Sequence, residues 1–355
     1  MEENTQHFLD LIRRSHRGRF KIYIGMIAGV GKTYRMLQDA REMLRQGTDV
    51  QIGFVETHGR PDTVKALKGL PVIPRKRVFY KGKEIEEMDL DAILQVHPEI
   101  VIVDELAHTN VEGCRHAKRW QDVMELLEAG INVISAVNIQ HIESLNDEVR
   151  KMVGVDVKER IPDSVLREAD EVVNIDLTAE ELVERLKAGK IYAKEKIQTA
   201  LDNFFNPGNI LQLRELALRE VAFRVGKKVD YEVKHREQGV KGVARLVVCV
   251  SSNNETQQHI IRKAARMADT YNAELIALYV QTANEDNDSI PLDTQRHLMG
   301  HLQLVVELGG RVHKVVSDNI ALTIADFCRE QQASVLCMGH PSLSMPRLLF
   351  RVGGY

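Results

Sequence analysis

The chain has 355 residues, 44% hydrophobic and 28% charged, with a formal net charge of −3. That balance suits a globular protein with length for two cores, and it lacks the basic field that general nucleic-acid binding needs. No run of about 18 apolar residues is present, so no direct membrane insertion is expected.

The four cysteines, Cys114, Cys249, Cys328 and Cys337, lack C-x-x-C spacing. Neither a zinc site nor a disulfide framework follows, and a reducing cytoplasm fits. The N-terminal arm, residues 1–19, is polar and has no signal-peptide core.

From Phe20 to Leu37 an apolar strand, Lys21–Ile24, runs through a glycine-rich turn into a helix reaching about Gln46. The turn Ala28-Gly29-Val30-Gly31-Lys32-Thr33 has the chemistry of a P-loop, or Walker A, phosphate cradle. Its glycines let backbone N–H groups approach an anion, and the helix N-terminus adds donors and a favourable dipole. Lys32 suits the β- and γ-phosphates of ATP, and the Thr33 hydroxyl suits a Mg²⁺ ion. The pattern departs from G-x-x-x-x-G-K-[ST] in one place, because the leading glycine is Gly25 rather than residue 26.

Strand two, Val50–Val55, ends in a polar cluster containing Thr57, His58 and Arg60. Residues 75–91 run basic and then acidic, as a solvated hairpin or helix face does. Strand three, Ile100–Val103, is an unbroken β-branched run of the kind buried in a central strand. It ends in Asp104-Glu105. Asp104 is the candidate Walker B aspartate for Mg²⁺, and Glu105 the candidate catalytic base for an attacking water.

A helix near Ala117–Ala129 leads to strand four, Asn132–Val137, and Glu171–Ile175 reads as strand five. Alternating strands and helices predict a parallel sheet, whose carboxyl edge is where ligands bind. Thr57, His58, Arg60, His108 and Asn138 all fall on that edge as candidate γ-phosphate or switch contacts. His141 lacks the basic and proline context of a phospho-accepting histidine, and no histidine-kinase ATP lid follows it.

From Ala179 to Val225 the pattern is mostly helical, broken at Asn206-Pro207-Gly208. The charged, glycine-punctuated residues 228–243 read as a linker between a first domain, 20–227, and a second α/β domain, 244–355. The second domain alternates strands at Arg245–Val250, Glu274–Val280, Arg311–Val316 and Ser334–Met338 with helices. Ser251-Ser252-Asn253 and Met338-Gly339-His340-Pro341-Ser342 follow two of these strands and could line a ligand edge or serve no ligand.

Four stretches in order, GMIAGVGKTYRML, GFVETHGRPDT, VDELAHTN and VNIQHIESLND, resemble the N-terminal cytoplasmic domain of the KdpD family of potassium- and osmosensing histidine kinases. The likeness continues through LKAGKIY and NFFNPGNILQLRELALREVA. Residues after 242 resemble a universal-stress-protein domain. The resemblance implies a P-loop NTPase-like sheet followed by a Rossmann-like stress-protein fold.

It also implies a regulatory ATP site on Lys32, Thr33, Asp104 and Glu105, and a histidine kinase or response regulator as protein partner. A cyclic dinucleotide at the second domain is a minor implication, since Asn253 stands where a second serine is expected. By that resemblance, transmembrane helices and a kinase core are expected to follow in full-length members, and the stress-protein domain is expected to be incomplete in this chain. The alternative from the residues is a stand-alone P-loop ATPase or small-molecule kinase.

Overall fold

The computed structural model describes residues 17–192, 197–198, 201, 205–236, 244–251, 257–271, 273–282 and 291–339, with backbone alone for 227–236. The chain divides into two compact units, split between residues 238 and 239.

In the first unit, β1 (Phe20–Gly25), β2 (Val50–Phe54), β5 (Ile100–Val103), β6 (Asn132–Asn138) and β7 (Glu171–Ile175) form one sheet. The order is β2-β5-β6-β1-β7 and every pairing is parallel. Side chains alternate between its faces, as the period of a strand requires. Val101 and Val103 pack into one apolar layer while Ile102 packs into the other. Helix α1 (Lys32–Arg45) covers the second layer with Met36, Leu37 and Ala40, a helical spacing that puts them on one stripe.

The parallel arrangement brings the carboxyl ends of β1, β2, β5 and β6 to one edge. Register then fixes neighbours: Gly25 pairs with Asn138, so the last residue of β6 sits beside the start of the glycine turn. β6 lies between β1 and β5.

The charged run is an antiparallel hairpin, β3 (Lys76–Tyr80) with β4 (Lys83–Glu87). The remaining helices of this unit are α2 (Pro61–Leu67), α3 (Leu90–Val96), α4 (Arg119–Glu128), α5 (Asn146–Val153), α6 (Asp163–Arg167), α7 (Ala179–Lys187) and α8 (Pro207–Arg236). Proline at the first position of α8 fits a helix start. The division between the units falls inside the expected linker, 228–243, whose opening continues α8 through Arg236. Lysine, glutamate and arginine are good helix formers, so a charged segment can be helical.

The second unit is a four-stranded parallel sheet, β10-β9-β8-β11, built from β8 (Arg245–Cys249), β9 (Glu274–Gln281), β10 (Arg311–Val316) and β11 (Val335–Cys337). Helices α9 (Gln257–Tyr271), α10 (Leu292–Glu307) and α11 (Ile320–Glu330) pack on its two faces. Most of the N-terminal arm, Ser252-Asn253 and His340-Pro341-Ser342 lie outside the described residues. Ser251 is described, and its hydroxyl donates to Oε1 of Gln257 at 3.0 Å.

Candidate functional site

The glycine turn leaves β1 and enters α1 at Lys32. Gly29 and Gly31 have φ of 91° and 108°, a left-handed region that side-chain-bearing residues enter only with strain. A Cβ on Gly29 would stand 2.4 Å from Cδ1 of Ile191, and one on Gly25 would stand 2.6 Å from Cγ2 of Val30. Gly31 has open space apart from an Arg185 nitrogen 3.6 Å away. The turn is thus held to a bare backbone whose N–H groups and helix N-terminus can receive an anion.

Lys32 is 9% exposed. Its ammonium donates to the Ile27 carbonyl oxygen at 3.3 Å and to Oδ1 of Asn138. Burial lowers its pKa to about 8, against the pull of Asp104. A cation desolvated in this way and satisfied only by neutral oxygens is poised to accept an anion.

Asp104 is 5% exposed. Its Oδ2 accepts from the Thr33 hydroxyl at 2.7 Å, and its Oδ1 accepts from the Glu105 N–H at 2.9 Å. Burial raises its pKa, while those bonds and Lys32 oppose the rise. The hydroxyl and carboxylate together form an all-oxygen pair of the sort Mg²⁺ takes.

Glu105 sits at φ 55°. Its carboxylate lies 3.3 Å from Nε2 of His58 and 3.6 Å from a nitrogen of Arg119. The His58 bond and the Arg119 charge hold its pKa below the usual range against its burial, and the same bond raises that of His58. Arg60 stands at the N-cap position of α2 without a capping side-chain bond among the described residues. Burial lowers its pKa, with Tyr192, Asp104 and Glu105 opposing, and its Nε has no hydrogen-bond partner among the described residues.

These groups line one cleft of about 610 Å³, a volume in the range of small-ligand sites. Ala28 to Thr33, His58, Arg60, Asp104, Glu105, His108 and Asn138 all reach its wall. Thr57 does not, and its hydroxyl accepts from the Gly59 N–H at 3.4 Å within its own turn. His108 points its Nε2 at Glu87, 2.9 Å away.

The residue types suit a magnesium-bound polyphosphate: the cradle is bare and, among the described residues, the buried Lys32 ammonium has no carboxylate bonded to it and the Arg60 Nε is orphaned. Sequence reasoning missed three groups here. Arg119 and Glu87 are almost fully buried and joined at 3.0 Å. Arg185, in the last turn of α7, donates to the Gly29 carbonyl at 3.4 Å. Only tertiary closure reveals them.

A parallel α/β sheet with such a cleft, followed by a second parallel α/β unit, defines a two-unit α/β architecture. Comparison with known proteins names the family. The osmosensitive K⁺ channel histidine kinase sensor domain, KdpD, matches residues 16–225, and the universal stress protein family matches residues 242–351. The chain belongs to the KdpD family.

It is 42% identical over 346 residues to the sensor protein KdpD of Mycobacterium tuberculosis, covering 95% of this chain and 39% of that protein. The sensor protein KdpD of Escherichia coli K12 is 39% identical over 343 residues, covering 96% and 38% respectively. A putative sensor protein KdpD of Synechocystis is 42% identical over 338 residues, covering 94% and 89%. The chain therefore spans well under half the length of the first two relatives and most of the third. Among the described residues no helix is long and apolar enough to cross a membrane.

Proposed function

We propose that the first unit is an ATP-binding regulatory module with a P-loop at Ala28 to Thr33, acting on the cytoplasmic side in potassium- or osmo-responsive two-component signalling. Its protein partner is a histidine kinase or response regulator. The observation that carries this reading is the 2.7 Å contact between Thr33 and Asp104 beside the buried ammonium of Lys32.

In this reading the turn amides and Lys32 hold the phosphates, and Thr33 and Asp104 hold Mg²⁺. The bound metal supplies charge neutralisation at the phosphates. Asn138 orients the ammonium, and Arg60 adds a second cation at the cleft wall.

The rival reading, a stand-alone ATPase or small-molecule kinase, needs Glu105 as a proton acceptor. A carboxylate already engaged by His58 and Arg119, with its pKa held down, is a weak base. That favours a binding switch over a turnover enzyme. Calorimetric titration of the whole chain with ATP, with and without Mg²⁺, tests the proposal. Saturable, magnesium-strengthened binding is expected, and the absence of any binding at millimolar ATP would overturn it.

A further inference from the structure

Arg119 is 0% exposed and Glu87 is 2% exposed. A buried ion pair is costly to desolvate and is weak evidence for stability by itself, so its placement calls for explanation. Arg119 opens α4 and lies over the Phe54 ring at 3.7 Å. One of its terminal nitrogens donates to Oε2 of Glu87 at 3.0 Å, at the end of β4. The other faces the Asp104 carbonyl at 3.4 Å and the Glu105 carboxylate at 3.6 Å. A single guanidinium therefore serves the hairpin with one arm and the acidic end of the cleft with the other.

A second clasp runs in parallel. Arg75 lies over the same Phe54 ring at 4.5 Å. It reaches Glu86 of β4 and Glu56 of the loop after β2, both at 3.4 Å. Adjacent hairpin acids are thus each joined, through an arginine on a shared ring, to a second acid: Glu87 to Glu105 of the cleft, and Glu86 to Glu56 of the loop after β2. The loop after β2 also carries His58, which binds Glu105 from the other side. On the hairpin itself Phe79 is 77% exposed.

We propose that Arg119 is a positioning residue through which the β3–β4 hairpin responds to the ligand state of the cleft. The inference rests on the ATP·Mg²⁺ reading of that cleft. A metal–polyphosphate draws on the Asp104–Glu105 corner, which Arg119 faces through the Asp104 carbonyl and the Glu105 carboxylate, so occupancy weakens the arm toward that corner and strengthens the arm toward Glu87. The guanidinium fork makes this exchange geometric as well as electrostatic, which a lysine cannot copy. Glu87 is well suited to receive the change. Its burial favours the neutral acid, yet the His108 bond and the charges of His108 and Arg119 hold its pKa below the usual range.

Hydrogen exchange on the full chain, with and without ATP·Mg²⁺, tests this. Amides of residues 76–87 are expected to exchange about tenfold more slowly when ATP·Mg²⁺ is bound. Glu87→Gln, which keeps the shape and removes the charge, is expected to abolish that slowing while leaving ATP affinity within about threefold of wild type. Arg119→Lys is expected to do the same to the hairpin and also to reduce the strengthening of ATP binding by Mg²⁺.

Unchanged hairpin exchange in a wild-type chain that binds ATP would overturn the proposal, as would slowing that persists in Glu87→Gln. Should Glu87→Gln fail to fold, the wild-type comparison alone decides. If wild type binds no ATP, the parent reading fails and this inference with it.

Discussion

The hydroxyl of Thr33 and the carboxylate of Asp104 are 71 residues apart in sequence and 2.7 Å apart in space. They meet although β6 separates β1 and β5, the strands that lead into them. The intervening strand contributes to the same site, since Asn138 at its end holds the ammonium of Lys32. A carboxylate and an ammonium both this buried are costly to desolvate, and removing either gives separable predictions.

Asp104→Asn keeps the size of the side chain and loses the charge a divalent cation needs. ATP affinity measured with Mg²⁺ is expected to fall about tenfold, while affinity in EDTA stays within about threefold of wild type. Equal losses in both conditions would show that Asp104 acts through the fold of the turn rather than through metal.

Glu105→Gln separates the switch from the enzyme. The proposed module shows turnover near the solution background, so the substitution is expected to leave both ATP binding and phosphate release nearly unchanged. A magnesium-dependent wild-type turnover lost by about a hundredfold or more in Glu105→Gln would favour the hydrolytic reading.

Asp122, on α4, is 4% exposed and accepts from the Asn110 amide at 2.7 Å. Burial raises its pKa to about 6 from 3.8, against the Asn110 bond and the His116 and Arg119 charges. The folded chain then binds more protons than the unfolded chain between those two values, so this residue's contribution to stability declines as pH rises from about 4 to 6. Asp122→Asn is expected to stabilise the protein by on the order of 2 kcal/mol at pH 7 and by little at pH 4. Denaturant melts at the two pH values check this, and a variant less stable at pH 7 would refute it.

The sheet was largely legible in the sequence because its strands are short β-branched runs whose ends are marked by glycine or acid. Ile100–Val103 and Glu171–Ile175 match the observed strands at both ends. The glycine turn and Asp104 were readable for the same reason, as each carries its chemistry in a few contiguous residues.

Arg119 and Glu87 were not readable. An arginine opening an amphipathic helix and a glutamate closing a charged hairpin look like solvent-facing groups until the hairpin folds over Phe54. The positive φ of Glu105 and the continuation of α8 into a charged segment also depend on tertiary context rather than on local composition.

The central claim is tested most directly by the ATP affinity of Lys32→Ala beside wild type, measured by calorimetry in Mg²⁺. Loss of the ammonium is expected to weaken binding at least about tenfold, equivalent to about 1.4 kcal/mol, with the melting temperature of the free protein preserved. Equal affinities for the two proteins would contradict a phosphate site at this turn.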